Sequence, residues 1–241
     1  VGVHRRHRRQ QPVDDLLRGK VDYYGEASGP AVEALYRYIR TYPATHSGDA
    51  HWYAGLSYAE AGSTDLAVAE FRLLIDTHPE SQRWGDAWLQ LADLEAEAAG
   101  VERAVQVYRD FVDSAPDHPQ APRALWEAAR LLERAGRADD AAALYTECQS
   151  TYPESDLAPS ALFRAGLEHH RSDEPHQAIR AWETVVSQYH ASESADPARI
   201  WLGKALFHQG QTEQGLDHLH HQASSVPDTY YGIRAAELLV P

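Results

Sequence analysis

Apolar residues recur along this chain at intervals of three and four, the spacing of one face of an α-helix. The segment 66–75 shows the pattern, with apolar side chains at Leu66, Phe71, Leu74 and Ile75. No segment keeps the strict alternation of apolar and polar residues that a half-buried strand needs. The pattern therefore predicts an all-α protein.

The helical pattern itself repeats every 36 or 37 residues. One column of the repeat holds Pro43, Pro79, Pro116, Pro153 and Pro227, with His190 in the equivalent place. Two further columns are small throughout: Gly55, Ala92, Ala129, Gly166 and Gly203, then Ala67, Ala104, Ala141, Ala178 and Gly215. Four residues after the second small column comes a bulky one: Phe71, Tyr108, Tyr145, Trp182 and Leu219.

These columns predict a helix–turn–helix hairpin in each repeat. The two small columns allow two antiparallel helices to approach closely, and the bulky residue is expected to fill the gap against the neighbouring hairpin. The turn falls between the small columns, where Gly62, Gly136, Asp173 and Gly210 stand. Helices are expected to begin again at Pro122 and Pro159, since proline in a first turn loses no hydrogen bond.

The repeat resembles the tetratricopeptide repeat, whose unit of 34 residues has the same small, aromatic and proline positions. This resemblance implies a right-handed α-solenoid of helix–turn–helix repeats with a concave and a convex face, here with a period of 36–37. We expect a basic, disordered tail over residues 1–11. A single superhelical domain is expected over 12–241, made of six hairpins and the first helix of a seventh.

The composition of the chain limits the classes of partner that it is expected to bind. The net charge of −14 argues against nucleic acid or an anionic membrane as the main partner. The segment His4–Arg9 is the basic exception, which is read as a tail, with a juxtamembrane or anion-binding segment as the alternative. No apolar run is long enough to span a bilayer. The sequence starts without methionine, so we expect a fragment or a processed form.

Catalytic motifs are not recognisable in the sequence. His218 and His221 share a helix face and could bind a divalent metal, but no carboxylate or cysteine at a matching offset completes a site, so exposed histidines are the favoured interpretation. Cys148 falls in a column that is otherwise apolar and is expected in the core. No enzymatic activity of this chain, no cofactor and no metal site are predicted.

The first helix of each hairpin lines the concave face in tetratricopeptide folds, and its positions give two different surfaces here. Repeats two and three supply Asp49, Trp52, Leu56, Glu60, Asp86, Leu89, Asp93 and Glu97. The next three supply Arg123, Trp126, Arg130, Arg134, Phe163, His170, Arg171, Ile200, Lys204, Phe207 and His208. An anionic peptide, a carboxylate or a glycan could bind this cationic, aromatic half. Alternatively these charges pair between repeats, Glu133 with Arg130 or Arg134 for instance.

The last 45 or so residues resemble the end of the helical domain of soluble lytic transglycosylases of the Slt type. The matching residues are Trp201, Gly203, Ala205, Gly210, Tyr230, Tyr231, Gly232, Ala235, Ala236 and Leu238. That family needs a catalytic glutamate, usually followed by serine, in a separate lysozyme-like domain. The pairs Glu80-Ser81, Glu154-Ser155 and Glu193-Ser194 all fall in linkers between repeats, where serine is expected to serve as a turn or cap residue. Tyr230 and Tyr231 are expected to cover the apolar end of the sixth hairpin.

Two functions follow from these resemblances. The first is a non-catalytic repeat domain from the N-terminal part of a peptidoglycan lytic transglycosylase, which positions the catalytic domain and binds a glycan strand or a protein. The alternative is a free-standing scaffold that binds proteins or peptides in the bacterial cell envelope, where similar extended repeats occur. A cytosolic module that binds peptides is a third hypothesis. Nucleic acid is not an expected partner.

Overall fold

The computed structural model describes residues 14–42 and 48–240, and every regular element in these ranges is an α-helix. The predicted all-α repeat fold is confirmed. The basic segment at the N-terminus and Pro43 lie outside the described residues. In order, the helices are α1 (Asp15–Tyr24), α2 (Ser28–Thr41), α3 (Asp49–Glu60), α4 (Thr64–Thr77), α5 (Trp84–Ala98), α6 (Val101–Ser114), α7 (Ala121–Arg134), α8 (Ala138–Thr151), α9 (Ala158–Arg171), α10 (Pro175–Gln188), α11 (Ala195–His208), α12 (Thr212–Ser225) and α13 (Tyr230–Leu238).

The helices form two compact units, divided between Gly100 and Val101. In the first unit α1 packs on α2 and α3 packs on α4, and each hairpin packs on the next helix along the chain. In the second unit the hairpins are α7–α8, α9–α10 and α11–α12, with α6 packed before them and α13 after them. The single domain expected over 12–241 remains a prediction.

In the hairpins α3–α4, α9–α10 and α11–α12 the bulky residue packs onto the small residue of its own partner helix. A Cβ atom added at Gly55 would lie 2.8 Å from the ring of Phe71, and one added at Gly166 would lie 2.3 Å from Nε1 of Trp182. Trp182 also reaches the neighbouring hairpin, where its ring centroid is 5.7 Å from that of Trp201. Trp182 therefore fills a gap inside its hairpin as well as the predicted one between hairpins.

The turns inside the hairpins require a left-handed backbone. Gly62, Gly136 and Gly210 have φ between 70° and 78°, and Asp173, in the equivalent turn, has φ of 60°. Glycine adopts this conformation without steric cost, and aspartate is one of the few other residues that tolerates it. The turn residues selected from the sequence therefore lie where the chain reverses.

The linkers between hairpins are held by side-chain caps, as predicted for two of the three Glu-Ser pairs. The hydroxyl oxygens of Ser81 and Ser155 accept hydrogen bonds from the backbone N–H of the second residue after them, both at 3.2 Å. Ser194 differs, because its hydroxyl lies 3.1 Å from that of Ser160 on α9. In the second unit the linkers are also joined to each other, since Tyr152 donates to the carbonyl of Pro116 and Tyr189 to that of Pro153.

The last helix, α13, covers the end of the hairpin α11–α12. Ile200, Leu219 and Ala235 form a buried cluster, and Tyr231 packs against it. Tyr230 does not, because 72% of its surface is exposed. The prediction that both tyrosines cap the sixth hairpin is therefore right for Tyr231 and wrong for Tyr230. The two rings are neighbours on a helix and point to different sides.

Cys148 lies in the core of the second unit, as its column predicts. Its side chain is fully buried, and Sγ donates a weak hydrogen bond of 3.4 Å to the carbonyl of Pro122. Burial, assisted by the charge of the adjacent Glu147, raises the pKa of the thiol to about 12.

We therefore expect Cys148 to resist thiol reagents in the folded protein. An unfolded cysteine has a pKa near 8.5 and is partly ionised at pH 8, so the raised pKa alone slows the reaction of the native thiol by roughly a thousandfold. The rate of modification by a chromogenic disulfide, with and without denaturant, checks this. Comparable rates in the two conditions would contradict the buried placement.

Candidate functional site

The predicted cationic and aromatic surface lies on the first helices of the three hairpins in the second unit. We call it the basic face, and define it by Arg123, Trp126, Arg130 and Arg134 on α7, Phe163, His170 and Arg171 on α9, and Lys204 and Phe207 on α11. Because the hairpins stack in the order of the chain, α7, α9 and α11 present the same helix position at successive steps.

At the α7 end of the basic face, a charged network surrounds Trp126. Arg164 on α9 donates from Nη1 to both carboxylate oxygens of Glu133, at 2.9 and 3.0 Å, and its guanidinium lies 5.5 Å from the ring of Trp126. The Tyr145 hydroxyl donates to the same carboxylate at 2.6 Å. Burial, followed by the contact with Glu133, raises the pKa of Tyr145, so its hydroxyl stays protonated and a donor.

This network settles how Glu133 is neutralised. The sequence offered Arg130 or Arg134 as its partner, but the carboxylate instead binds Arg164 from the next hairpin. Arg130 is paired with Glu127 on its own helix, at 3.5 Å. The alternative hypothesis, that charges on this face pair between neighbouring repeats, therefore holds for Glu133. Its partner is Arg164, which the sequence analysis did not identify.

Arg171 is also partly neutralised. It donates to Glu168 at 2.9 Å, and Glu168 is buried with 1% of its surface exposed. Burial raises the pKa of Glu168, and the guanidinium of Arg171 opposes that shift. Arg123 and Arg134 differ from Arg171, because both are exposed and no ion pair involves them within the described residues. They are the arginines of the face whose charge is most available to a ligand.

At the α11 end, aromatic rings and cations form a pocket. The ring of His170 is tilted relative to that of Trp201, with the two centroids 5.5 Å apart. Nζ of Lys204 lies 4.4 Å from the centre of the Trp201 ring. A pocket of about 230 Å³ opens between these groups, lined by His170, Asp173, Pro175, Trp201, Lys204, Ala205, His208 and Gln209. A cation held over an indole is oriented and partly dehydrated, which favours binding of an anionic group beside an apolar one.

The remaining predicted residues contribute less to this surface. Phe163 offers its carbonyl to Nε1 of Trp182 at 3.2 Å and is half-buried, while Phe207 is 51% exposed and lies edge-on to His208. Ile200 was also expected on the face, but it is buried in the cluster beneath α13. The cover comes from α13, which packs on α11 and α12; Trp126 and Phe163, in the same column, are half-buried.

Two side chains that make contacts on this face were missed from the sequence. Arg164 and Trp201 are 37 residues apart and occupy the same column of the repeat, one position after that of Trp126 and Phe163. Each makes a central contact of the face, with Glu133 and with Lys204 respectively. Both could have been identified from the sequence, because the column directly after that of Trp126 and Phe163 holds a long side chain in one repeat and an aromatic one in the next.

The first unit carries the acidic half of the predicted surface. Several of its predicted residues are buried or ion-paired in the structure. Trp52 and Leu89 are buried in the core. Asp49 forms an ion pair of 2.6 Å with Lys20 on α1. These residues stabilise the unit itself, so this half offers fewer groups to a ligand than the sequence indicated.

No metal site is formed among the described residues, where no three histidine, cysteine or acidic side chains converge. His221 lies 3.3 Å from the Ser225 hydroxyl, and His218 is half-buried rather than exposed as expected. Within the described ranges, no helix combines the length and apolarity needed to cross a bilayer.

Family comparisons agree with the repeat read from the columns. Residues 49–81 and residues 89–156 each match a model described as tetratricopeptide repeat. No curated protein matches the sequence significantly.

Solved structures show the same fold. The C-terminal part of a TPR repeat-containing protein from Cytophaga hutchinsonii superposes with a TM-score of 0.65 at 12% identity, covering 95% of this chain and 88% of that one. A MamA structure gives 0.51 at 13% identity, covering 81% and 97%. MamA AMB-1 gives 0.50 at 16% identity, covering 80% and 97%. At these identities the likeness concerns the fold alone, and the chain is an all-α protein that carries tetratricopeptide repeats.

Proposed function

We propose that this chain is a non-catalytic scaffold that binds an acidic segment of a partner protein on the basic face. The observation that carries the proposal is the run of cations and aromatic rings on α7, α9 and α11, within a protein of net charge −14. Tetratricopeptide repeats build concave surfaces from their first helices, which makes this face the expected place for a partner.

The two ends of the basic face would hold different parts of such a segment. Arg123 and Arg134 are exposed and lack ion pairs within the described residues, so they can pair with carboxylates of the partner. The pocket beside Trp201 and Lys204 is small enough for a single side chain or chain end. Arg164 is already bound to Glu133, so it holds Trp126 in place and adds no free charge.

A place in the bacterial cell envelope is part of the proposal and rests on the extended repeats and their linkers. The narrower hypothesis, a domain of a peptidoglycan lytic transglycosylase, rests only on the resemblance of the last 45 or so residues. None of the family matches or solved structures described above extends to that enzyme class. The protein-binding scaffold is therefore favoured, and a glycan strand is the second candidate ligand.

A binding experiment distinguishes these ligands. We expect a fluorescent oligoglutamate peptide to bind and its affinity to fall by roughly tenfold or more in the double variant R134E/K204E, since each reversed charge costs about 1 kcal/mol. Binding should also weaken with added salt. Fluorescence anisotropy is the measurement, with soluble muropeptides tested in parallel.

The control is R180E, which reverses an exposed arginine on α10, outside the basic face, and it is compared with the single variant R134E, which changes the net charge equally. Equal losses in R180E and in R134E would show non-specific attraction and refute the site. Binding of muropeptides alone, lost in the double variant, would favour the glycan over the peptide. No binding of either ligand would count against the proposed function.

A further inference from the structure

A second feature of the second unit lies between α11 and α12, away from the basic face. The 37-residue repeat places one residue of the first helix opposite one of the second helix in each hairpin. In α3–α4 this pair is His51 and Glu70, whose Nδ1 and Oε2 atoms are 2.8 Å apart in the buried interior. The equivalent pairs in the second unit are Leu125 with Leu144, Leu162 with Ala181, and Arg199 with His218.

The last of these pairs departs from the rule that the others follow. Apolar pairs bury two hydrocarbon side chains, and the histidine–glutamate pair buries a donor with a carboxylate. The pair of Arg199 and His218 contains no carboxylate, since a guanidinium only donates and a neutral imidazole carries one N–H donor and one acceptor nitrogen. Nε of Arg199 is buried and has no hydrogen-bond partner among the residues that the structure describes. No ion pair involves either residue within the described part of the chain. A buried donor without an acceptor costs free energy that water or another ligand must recover.

The electrostatics reflect the missing acceptor. Burial lowers the pKa of Arg199, and Asp196 on the same helix opposes the shift from beyond ion-pair distance. Burial is also the main cause that lowers the pKa of His218. The positive charge of Arg199 and, less strongly, His221 lower it further, while Asp217 raises it. These are the charged groups that act on the imidazole from α11 and α12.

A second unpartnered donor of this hairpin lies one helical turn after His218 on α12. Gln222 is buried, with 1% of its surface exposed, and its Nε2 atom makes no hydrogen bond to any described residue. Residues four apart on a helix share a face. In the other hairpins of the second unit this column holds Cys148 and Val185. Polar donors have therefore replaced apolar residues at two neighbouring columns of α12.

We propose that Arg199 and His218 form a binding site for an oxyanion, a carboxylate or a phosphate group, between α11 and α12. A guanidinium and an imidazolium together offer the donors that such a group accepts. Both side chains keep partial exposure, so a ligand can reach them from solvent. The site is distinct from the basic face, and its existence does not depend on the function proposed for that face.

Protonation couples to binding at this site. An anion favours charged His218, so occupancy raises the pKa of the imidazole, and by reciprocity affinity increases as the pH falls. The experiment follows the His218 ring signal by NMR through a pH titration of the full chain. Inorganic phosphate and N-acetylglutamate amide are the two probes, added separately. We expect the pKa of His218 to rise by about one or more with a saturating probe.

Two variants make the result specific. R199L restores the leucine of the equivalent columns, and it should remove the response of His218 to either probe. R180L deletes an exposed arginine of α10 with the same change of net charge, and it should leave the response intact. A response to phosphate alone identifies a phosphate ester or free phosphate as the source. A response to the carboxylate probe points to a partner's acidic side chain.

The proposal is overturned if neither probe moves the His218 titration in the wild-type chain, or if R199L responds as the wild type does. Should R199L fail to fold, thermal melting of the wild-type chain with each probe replaces the comparison. The melting temperature should then rise with probe concentration, more at pH 6 than at pH 8. A change in melting that is equal at both pH values would equally refute the site.

Discussion

The substitution G166A is expected to destabilise the second unit by about 2–3 kcal/mol, although alanine is the better helix former. The new Cβ atom would lie 2.3 Å from Nε1 and 2.7 Å from Cε2 of Trp182. The indole cannot move aside, because it is fully buried, donates to the carbonyl of Phe163 and packs on Trp201. Overpacking of this kind outweighs the gain of up to about 1 kcal/mol in helix propensity.

Urea unfolding followed by circular dichroism measures the effect. The control is G29A in α2, where an added Cβ atom meets nothing within 4 Å. That substitution has only the propensity gain and should stabilise the protein slightly. A neutral or stabilising G166A would mean that the hairpin α9–α10 can open to accept the methyl group, contrary to the close approach described here.

Removing His51 is expected to destabilise the first unit by about 3–5 kcal/mol. His51 and Glu70 are both buried and bind each other at 2.8 Å, and the hydroxyl of Tyr36 also donates to Glu70. The substitution H51L leaves the carboxylate in the core with the tyrosine hydroxyl as its remaining donor among these three residues. A buried charge that loses its partner carries a large desolvation cost.

The double variant H51L/E70L tests whether that cost comes from the stranded charge. It reproduces the apolar pair that Leu125 and Leu144 form in the second unit. We expect its stability to lie near that of the wild type or above it, because well-packed apolar residues often replace a buried ion pair without loss. Urea unfolding of the single and double variants gives the coupling free energy. A double variant as unstable as H51L would contradict this account.

Much of the fold was predictable from the sequence because the same local pattern recurs in each of several repeats. The small columns at Gly55 and Gly166 located the close helix contacts, and Gly62 and Gly136 located the turns. A single occurrence of any of these residues would carry little information. Agreement among columns over five repeats fixes the helix–turn–helix unit, since backbone conformation and close approach depend mainly on local residue type.

The side-chain partners were less predictable. Glu133 was assigned to Arg130 or Arg134, yet it binds Arg164, because the packing of α9 on the hairpin α7–α8 brings that arginine within reach. Ile200 was placed on the basic face, yet α13 covers it. Both outcomes depend on the rotation of a helix about its own axis, and a shift of one position moves a side chain by about 100°.

The sequence by itself therefore determined the class of fold, the repeat unit, its turns and the set of helices that carry the cationic and aromatic residues. Only the tertiary structure decided which of those charges are already neutralised, as with Glu133, and which form no ion pair within the described ranges, as with Arg134. It also showed that the buried Nε of Arg199, opposite His218 in the hairpin α11–α12, has no hydrogen-bond partner among the described residues. The physical reason is that helix formation follows local periodicity, whereas ion pairing requires contact between residues distant in the chain.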